Sequence, residues 1–249
     1  MNDRIFYTPT ASEAMGFAAE GLIRRGWTQA ADPGTDVTDL LLGVPCRQTD
    51  EELTTLLERL PPQVRIFGGF LDRPVLRPYR CFDLLTDPVY LARNAMITAY
   101  GAIEKAQSAM KVTWEDCPVL IVGGGRIGQC LAQLLRGLGA QVVIALRRSS
   151  QQALLGALGY ETEAMEFPHY ILGQFRVIFN TVPAPVLSRA ALEHCRKDCL
   201  KIELASSPGM EGEDIMQAKG LPGVCAPESS GRLIAQTVSR LHCRKEASP

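Results

Sequence analysis

Apolar residues fall along this chain in short runs separated by longer stretches with helical spacing, an alternation that predicts β and α elements in turn. Residues 4–8 (Arg-Ile-Phe-Tyr-Thr) read as a strand, Pro9-Thr10 as a turn and Ser12 as the N-cap of a helix. That helix carries Ala14, Phe17, Ala18 and Leu22 on one face and stops at Gly26. A second apolar run covers 39–44, a second amphipathic helix 51–60, and a third strand 64–67, closed by Gly68-Gly69. Residues 1–83 are therefore expected to form a small α/β domain. Residues 84–110 read as one long helix, with Pro88 in its first turn and Ala92, Ala95, Ala99 and Ala102 allowing close packing; 84–112 is taken as a connector. From 113 to 231 the rhythm resumes, with strands at 119–122, 141–145, 177–180, 200–204 and 223–225. Residues 232–244 read as a last helix that returns to the first domain, its end (Arg240, Arg244, Lys245) a solvated basic face.

One junction in the second half carries chemistry. Residues 119–128 read Val-Leu-Ile-Val-Gly-Gly-Gly-Arg-Ile-Gly, so an apolar strand runs into Gly123-x-Gly125-x-x-Gly128, and a helix follows and ends at Gly139. Gly123 makes the tight turn, Gly125 lets the backbone approach a pyrophosphate, and Gly128 lets the helix pack on the strand. The helix start, with Arg126 and Ile127, presents free N–H groups to phosphate. Strand before, helix after and a second strand beyond together mark a doubly wound parallel sheet of the Rossmann type, an α/β fold beside the smaller α/β domain.

The end of the second strand bears on the nucleotide. NAD enzymes place Asp or Glu about 20 residues past the glycines, where it accepts from the ribose hydroxyls. Here the segment is Leu146-Arg147-Arg148-Ser149-Ser150: no carboxylate, but two guanidiniums and two hydroxyls suited to a 2′-phosphate. NADP is the expected cofactor, set against the plainer alternative of a solvated arginine pair. In an open parallel sheet the strand ends line the ligand crevice. Asn180, Thr181, Val182 and Pro183 are expected at the cofactor, and Ser206, Ser207 and Glu228 in the loops 205–209 and 226–231 beside it.

Composition narrows the class. A chain of 249 residues with 46% hydrophobic and 21% charged residues and a net charge of −1 has no basic field for nucleic acid. No apolar stretch reaches the roughly 18 residues of a membrane span, and Met1 to Thr10 carries no leader-like run. The eight cysteines, scattered through strands and helices, are expected as reduced and mostly buried thiols of a cytoplasmic protein. His194, Cys195 and Cys199 lie close in sequence, but no second ligand pair follows, so no metal is expected; His169, His194 and His242 are not expected to be catalytic.

The ordered segments GGGRIG, ALRRSS, FNTVP, ELASSPG and GLPGVCAPESSG, together with Asn94-Ala-Met-Ile-Thr-Ala-Tyr-Gly-Ala-Ile103, resemble the A subunit of dipicolinate synthase over about residues 80–240. The resemblance implies a spore-forming bacterium, NADP, oxidation of a hydroxy-tetrahydrodipicolinate-type cyclic dicarboxylate to dipicolinate, and a flavoprotein-like second subunit. This chain departs from that pattern at Tyr100, where the family carries Glu, at Ile97 for Pro, at Glu228 for Lys, and in a shortened N-terminal domain. Candidate substrate contacts are Asn94, Thr98, Thr181, Ser206 and Ser207, with Tyr100 or Glu228 as proton acceptor and Arg93, Arg126 or Arg232 as the cation for a dicarboxylate. Two other readings stand beside this one: a non-catalytic dinucleotide-binding subunit of a two-protein complex, and a two-domain dehydrogenase of the 2-hydroxy-acid type. Self-association is left open.

Overall fold

The computed structural model describes residues 4–166 and 168–244, excepting the side chain of Arg244. The chain divides into two compact units, 1–94 with 226–249, and 95–225. Both are parallel α/β layers.

In the first unit, β1 (Ile5–Tyr7), α1 (Glu13–Ile23), β2 (Thr28–Gln29), β3 (Asp39–Leu41), α2 (Asp50–Leu57), β4 (Arg65–Gly68) and β5 (Arg80–Asp83) follow one another. The sheet order is β2-β1-β3-β4-β5, all neighbours parallel, the flavodoxin-like order. The Ser12 hydroxyl accepts the Met15 N–H at 3.3 Å, the cap expected there. Thr49 and Glu52 close a reciprocal capping box on α2. Leu40, Leu42, Leu53, Leu57, Ile66 and Leu76 form one core between helix and sheet.

Helix α3 (Pro88–Ala109) begins in the first unit and ends in the second. It starts later than the sequence pattern implied: a 3-10 turn at Leu84–Thr86 comes first, because Asp87 caps α3 by accepting the Tyr90 N–H at 2.7 Å.

The second unit runs β6 (Pro118–Val122), α4 (Arg126–Gly137), β7 (Gln141–Leu146), α5 (Ser149–Ala157), β8 (Glu161–Ala164), β9 (Val177–Asn180), α6 (Arg189–Leu192), β10 (Leu200–Glu203), β11 (Ile215–Gln217) and α7 (Leu221–Cys225). Its parallel sheet has the order β11-β10-β9-β6-β7-β8. The chain therefore builds outward from β6 to β8, then crosses back to lay β9 on the other flank of β6. This is the Rossmann strand order, with its switch point between β6 and β9. Apolar cores lie on both faces, Ile121, Leu131, Leu135 and Phe179 on one and Leu120, Leu172, Ile178 and Leu192 on the other. The expected strand at 223–225 is the helix α7, and the expected loop at 226–231 is the first turn of the next helix, opened by Pro227.

That helix, α8 (Pro227–Arg244), packs on α1 within the first unit. Glycine makes the approach close: a Cβ on Gly231 would overlap the Ala14 carbonyl, and one on Gly21 would meet the Ala235 side chain. Arg240 is not solvated as expected; its guanidinium donates to Asp87 at 2.6 Å. Lys245 and the Arg244 side chain lie outside the described residues.

Burial pushes the Asp87 carboxyl up, but the Arg240 hydrogen bond, the Tyr90 N–H and the Arg240 charge together hold it below its ordinary value near 3.8. A lowered folded-state value means stability that is present above the unfolded value and lost as pH falls through the folded one. Asp87→Asn is expected to cost about 2 kcal/mol at neutral pH, one charge-assisted hydrogen bond. The deficit should begin to shrink below about pH 4, where the carboxyl of the unfolded chain takes up its proton, and disappear once pH falls below the lowered folded value. Urea unfolding at pH 7 and pH 3 measures both; an equal deficit at the two values would refute the assignment.

All eight cysteines are free thiols, but only Cys117 and Cys199 are buried, fewer than expected. Among the described residues no group of three or more His, Cys, Asp or Glu could hold a metal ion, and no helix is long and apolar enough to cross a membrane.

Candidate functional site

The glycine segment sits at the carboxyl end of β6, at the switch point. Gly123 has φ +104° and donates its N–H to the Ala145 carbonyl at 2.9 Å, a conformation costly for any other residue. A Cβ on Gly128 would fall well inside contact distance of the Gly123 carbonyl oxygen, so helix and turn touch backbone to backbone. Gly125 is different. It is the N-cap of α4, with no side-chain cap, and a Cβ there would meet nothing within 4 Å. The unfilled space lies in front of uncapped helix N–H groups, which fits a pyrophosphate. The Gly124 carbonyl is pinned from behind by Gln129 Nε2 at 2.8 Å and by the Gln151 side-chain amide.

On one side of this turn β7 ends at Leu146, followed by Arg147 and by Arg148 as the N-cap residue of α5. Both arginines are exposed, and neither has an ion-pair partner among the described residues. Ser149 and Ser150 open α5, whose N-terminus has no side-chain cap. Two free guanidiniums and a second uncapped helix start therefore stand together beside the glycine turn. The helix start was not foreseen in the sequence, and neither was Gln151.

On the other side, Thr181 follows β9 and its hydroxyl donates to the Val122 carbonyl at 3.0 Å, joining this loop to the glycine turn. Val182 also faces the turn, since a Cβ on Gly123 would strike it. Pro183 is exposed on the same loop. Asn180 is fully buried: it donates to the Val182 carbonyl at 3.0 Å and accepts the Val182 N–H at 3.0 Å, so it shapes the loop from beneath. Ser206 and Ser207 are exposed at the end of β10.

A residue the sequence pattern did not single out organises both loops. Glu203, the last residue of β10, is 0% exposed and accepts four hydrogen bonds. Oε1 takes Asn180 Nδ2 at 2.8 Å and the Ala205 N–H at 3.1 Å; Oε2 takes the Gly209 N–H at 2.8 Å and the Met210 N–H at 3.1 Å. The carboxylate within the segment ELASSPG was the only available signal.

The remaining expected residues are not all in the second unit. Thr98 and Tyr100 lie on the second-unit part of α3, Thr98 buried and Tyr100 exposed, whereas Asn94 belongs to the first unit. Glu228 lies in the first turn of α8, also in the first unit, and its carboxylate is bound by Arg232 one turn on. Arg93 donates to Gln236 at 2.8 Å. Arg126 and Ile127 stay at the glycine turn.

These features define an α/β protein of two units, the second with the Rossmann strand order and its glycine turn at the switch point. Within that class the chain is similar to the dipicolinate synthase A subunit of Bacillus subtilis, 27% identical over 201 residues that span 74% of this chain and 67% of that one. The crystal structure of the dipicolinate synthase A subunit from Bacillus halodurans superposes with a TM-score of 0.82 at 21% identity, covering 100% of this chain and 99% of that one. A transhydrogenase from Sinorhizobium meliloti shares the fold at a TM-score of 0.71 and 12% identity, over 88% of this chain and 78% of that one. A family model described as FAD binding domain matches residues 116–171, a stretch that holds β6, α4, β7, α5 and β8.

Proposed function

We propose that this chain is an NADP-dependent oxidoreductase that oxidises a hydroxy-tetrahydrodipicolinate-type cyclic dicarboxylate. The observation that carries the cofactor part is the unpaired Arg147–Arg148 couple and the uncapped start of α5, beside a glycine turn open at Gly125. Phosphate at the adenosine ribose would find two cations and helix N–H groups there, and the segment 146–150 carries no carboxylate to repel it. The pyrophosphate would lie against Gly123, Gly125 and the start of α4. Bound NADP supplies a nicotinamide ring that accepts hydride from the substrate. The protein's share is to hold that ring over the ends of β9 and β10, with Ser206 and Ser207 as hydroxyl donors and Thr181, whose proton goes to the Val122 carbonyl, as an acceptor. The substrate class rests on the likeness to the dipicolinate synthase A subunit, as does the flavoprotein-like partner. Asn94 and Thr98 remain proposed substrate contacts, and Tyr100 or Glu228 the proposed proton acceptor.

The family match at 116–171 favours a second reading, in which the same turn holds FAD. Flavin and NAD folds share the glycine turn, but neither needs the arginines at the end of β7. Calorimetric titration of the protein with NADP, NAD and FAD separates the readings. Binding of NADP at least tenfold tighter than NAD is expected, enough to exceed one hydrogen bond's difference. Preferred FAD binding would replace NADP by flavin, and no binding of any of the three would make the glycine turn purely structural.

A further inference from the structure

The arrangement around Glu203 is unusual for a strand-end carboxylate at a ligand crevice, because it cannot touch the ligand. It is fully buried, and its four donors come from two different loops: Asn180 before the loop that meets the glycine turn, and Ala205, Gly209 and Met210 from the loop that carries Ser206 and Ser207. The loops are interlocked as well, since the Gly209 carbonyl accepts the N–H groups of Val186 at 2.8 Å and Leu187 at 3.0 Å. A Cβ on Gly209 would overlap Asn180 and the Ala184 carbonyl. The buried cation on the same strand, Lys201, is engaged by Asp214. The carboxylate is thus held by N–H donors alone, and those donors fix where both loops lie.

Topology says which part of a dinucleotide those loops would meet. β7 with Arg147 and Arg148 lies on one flank of β6, and β9 and β10 lie on the other. A dinucleotide across the switch point has its adenosine over the first flank and its second nucleoside over the other. We propose that Glu203 is a positioning residue for the nicotinamide end: its carboxylate sets the two loops that receive the ring and has no part in holding the adenosine half. This rests on the dinucleotide reading above. Glu203→Gln keeps the shape, but its NH₂ must face two N–H donors whichever way it turns, so one loop loses its anchor.

The test compares two ligands on the full chain: NADP, and 2′-phospho-ADP-ribose, which has the adenosine half and pyrophosphate but no nicotinamide. Glu203→Gln is expected to weaken NADP about tenfold, the worth of one charge-assisted hydrogen bond, and to leave 2′-phospho-ADP-ribose within about twofold. Glu203→Asp, which keeps the charge on a shorter stem, should show the same selectivity with a smaller loss and covers the case in which the glutamine variant does not fold. Equal weakening of both ligands would reduce Glu203 to a general fold contact and overturn the proposal, as would equal retention of both. Wild-type protein that binds neither ligand would remove the dinucleotide reading itself, and this inference with it.

Discussion

Gly128→Ala is expected to lower the melting temperature by about 10 °C, whereas Gly125→Ala leaves it unchanged and removes most of the nucleotide affinity. The two residues sit three apart in one turn, and their surroundings separate two tasks that the sequence motif merges. At Gly128 the added methyl collides with the Gly123 carbonyl oxygen and lies 3.1 Å from its carbon. Both are backbone atoms, so no rotamer change relieves the clash. Either α4 moves off β6 or the turn at Gly123, already at φ +104°, is distorted further. Overpacking of that kind costs about 3 kcal/mol. At Gly125 the methyl meets nothing of the protein within 4 Å, and the backbone there (φ −71°, ψ −172°) suits alanine. The only thing that methyl can displace is a ligand against the start of α4. Thermal unfolding with and without NADP measures both effects. A Gly125→Ala protein with wild-type NADP affinity would show that no phosphate approaches this turn.

The central strands of both sheets were legible for a simple reason. β1, β3, β4, β6, β7 and β9 lie inside the sheets and read as short, mainly apolar runs, and β10 was legible from Leu200, Ile202 and Leu204 despite the buried Lys201 and Glu203 between them. The four strands the pattern did not reveal, β2, β5, β8 and β11, are the four sheet edges. Thr28–Gln29 is exposed on both residues, and Glu161–Ala164 alternates acid with small or polar residues. An edge strand needs only one paired side, and charge on it blocks further pairing, so its composition looks like loop. The segment 223–225 failed in the opposite sense. Gly-Val-Cys looks like the start of an apolar strand, but the preceding Leu221-Pro222 begins a helical turn, with Leu221 buried in the core.

The site divides along the same line. The glycines and the arginines were visible because residue type and local spacing alone mark them out. Glu203 and Gln151 were not, because their tasks depend on which strands lie side by side. Glu203 anchors loops that start 23 residues apart in the chain, and Gln151 bonds a carbonyl 27 residues away. The pairing of β10 with β9 brings Glu203 to Asn180, and the pairing of β6 with β7 brings Gln151 to the glycine turn. Asn180 shows the reverse error of emphasis. It stands at a strand end where a ligand contact is expected, yet its amide is consumed by Val182 and Glu203.

If NADP is the cofactor as proposed, its ribose phosphate meets the end of β7, and the Arg147→Asp, Arg148→Ala double variant is expected to weaken NADP about a hundredfold while leaving NAD unchanged or tighter. Leu146 is buried beneath the turn, so it fixes the direction of the chain that leaves β7. The next side chain, Arg147, stands where an NAD-binding protein carries its acid. An aspartate there repels a 2′-phosphate and can accept from a free 2′-hydroxyl, so the change acts on the two nucleotides in opposite directions. Loss of Arg148 removes the second cation from the start of α5, where Ser149 and Ser150 leave helix N–H groups uncapped. Because both guanidiniums are exposed, their contribution is screened, and the NADP preference proposed for the wild type should fall as salt rises from about 50 mM to about 500 mM. The double variant, with the cations gone, should lose that salt dependence. Competition of NADP and NAD for the same protein at the two salt concentrations reads all of this at once. Equal weakening of both nucleotides would mean that the substitutions damaged the shared pyrophosphate cradle, and the arginines would then have no part in choosing between them.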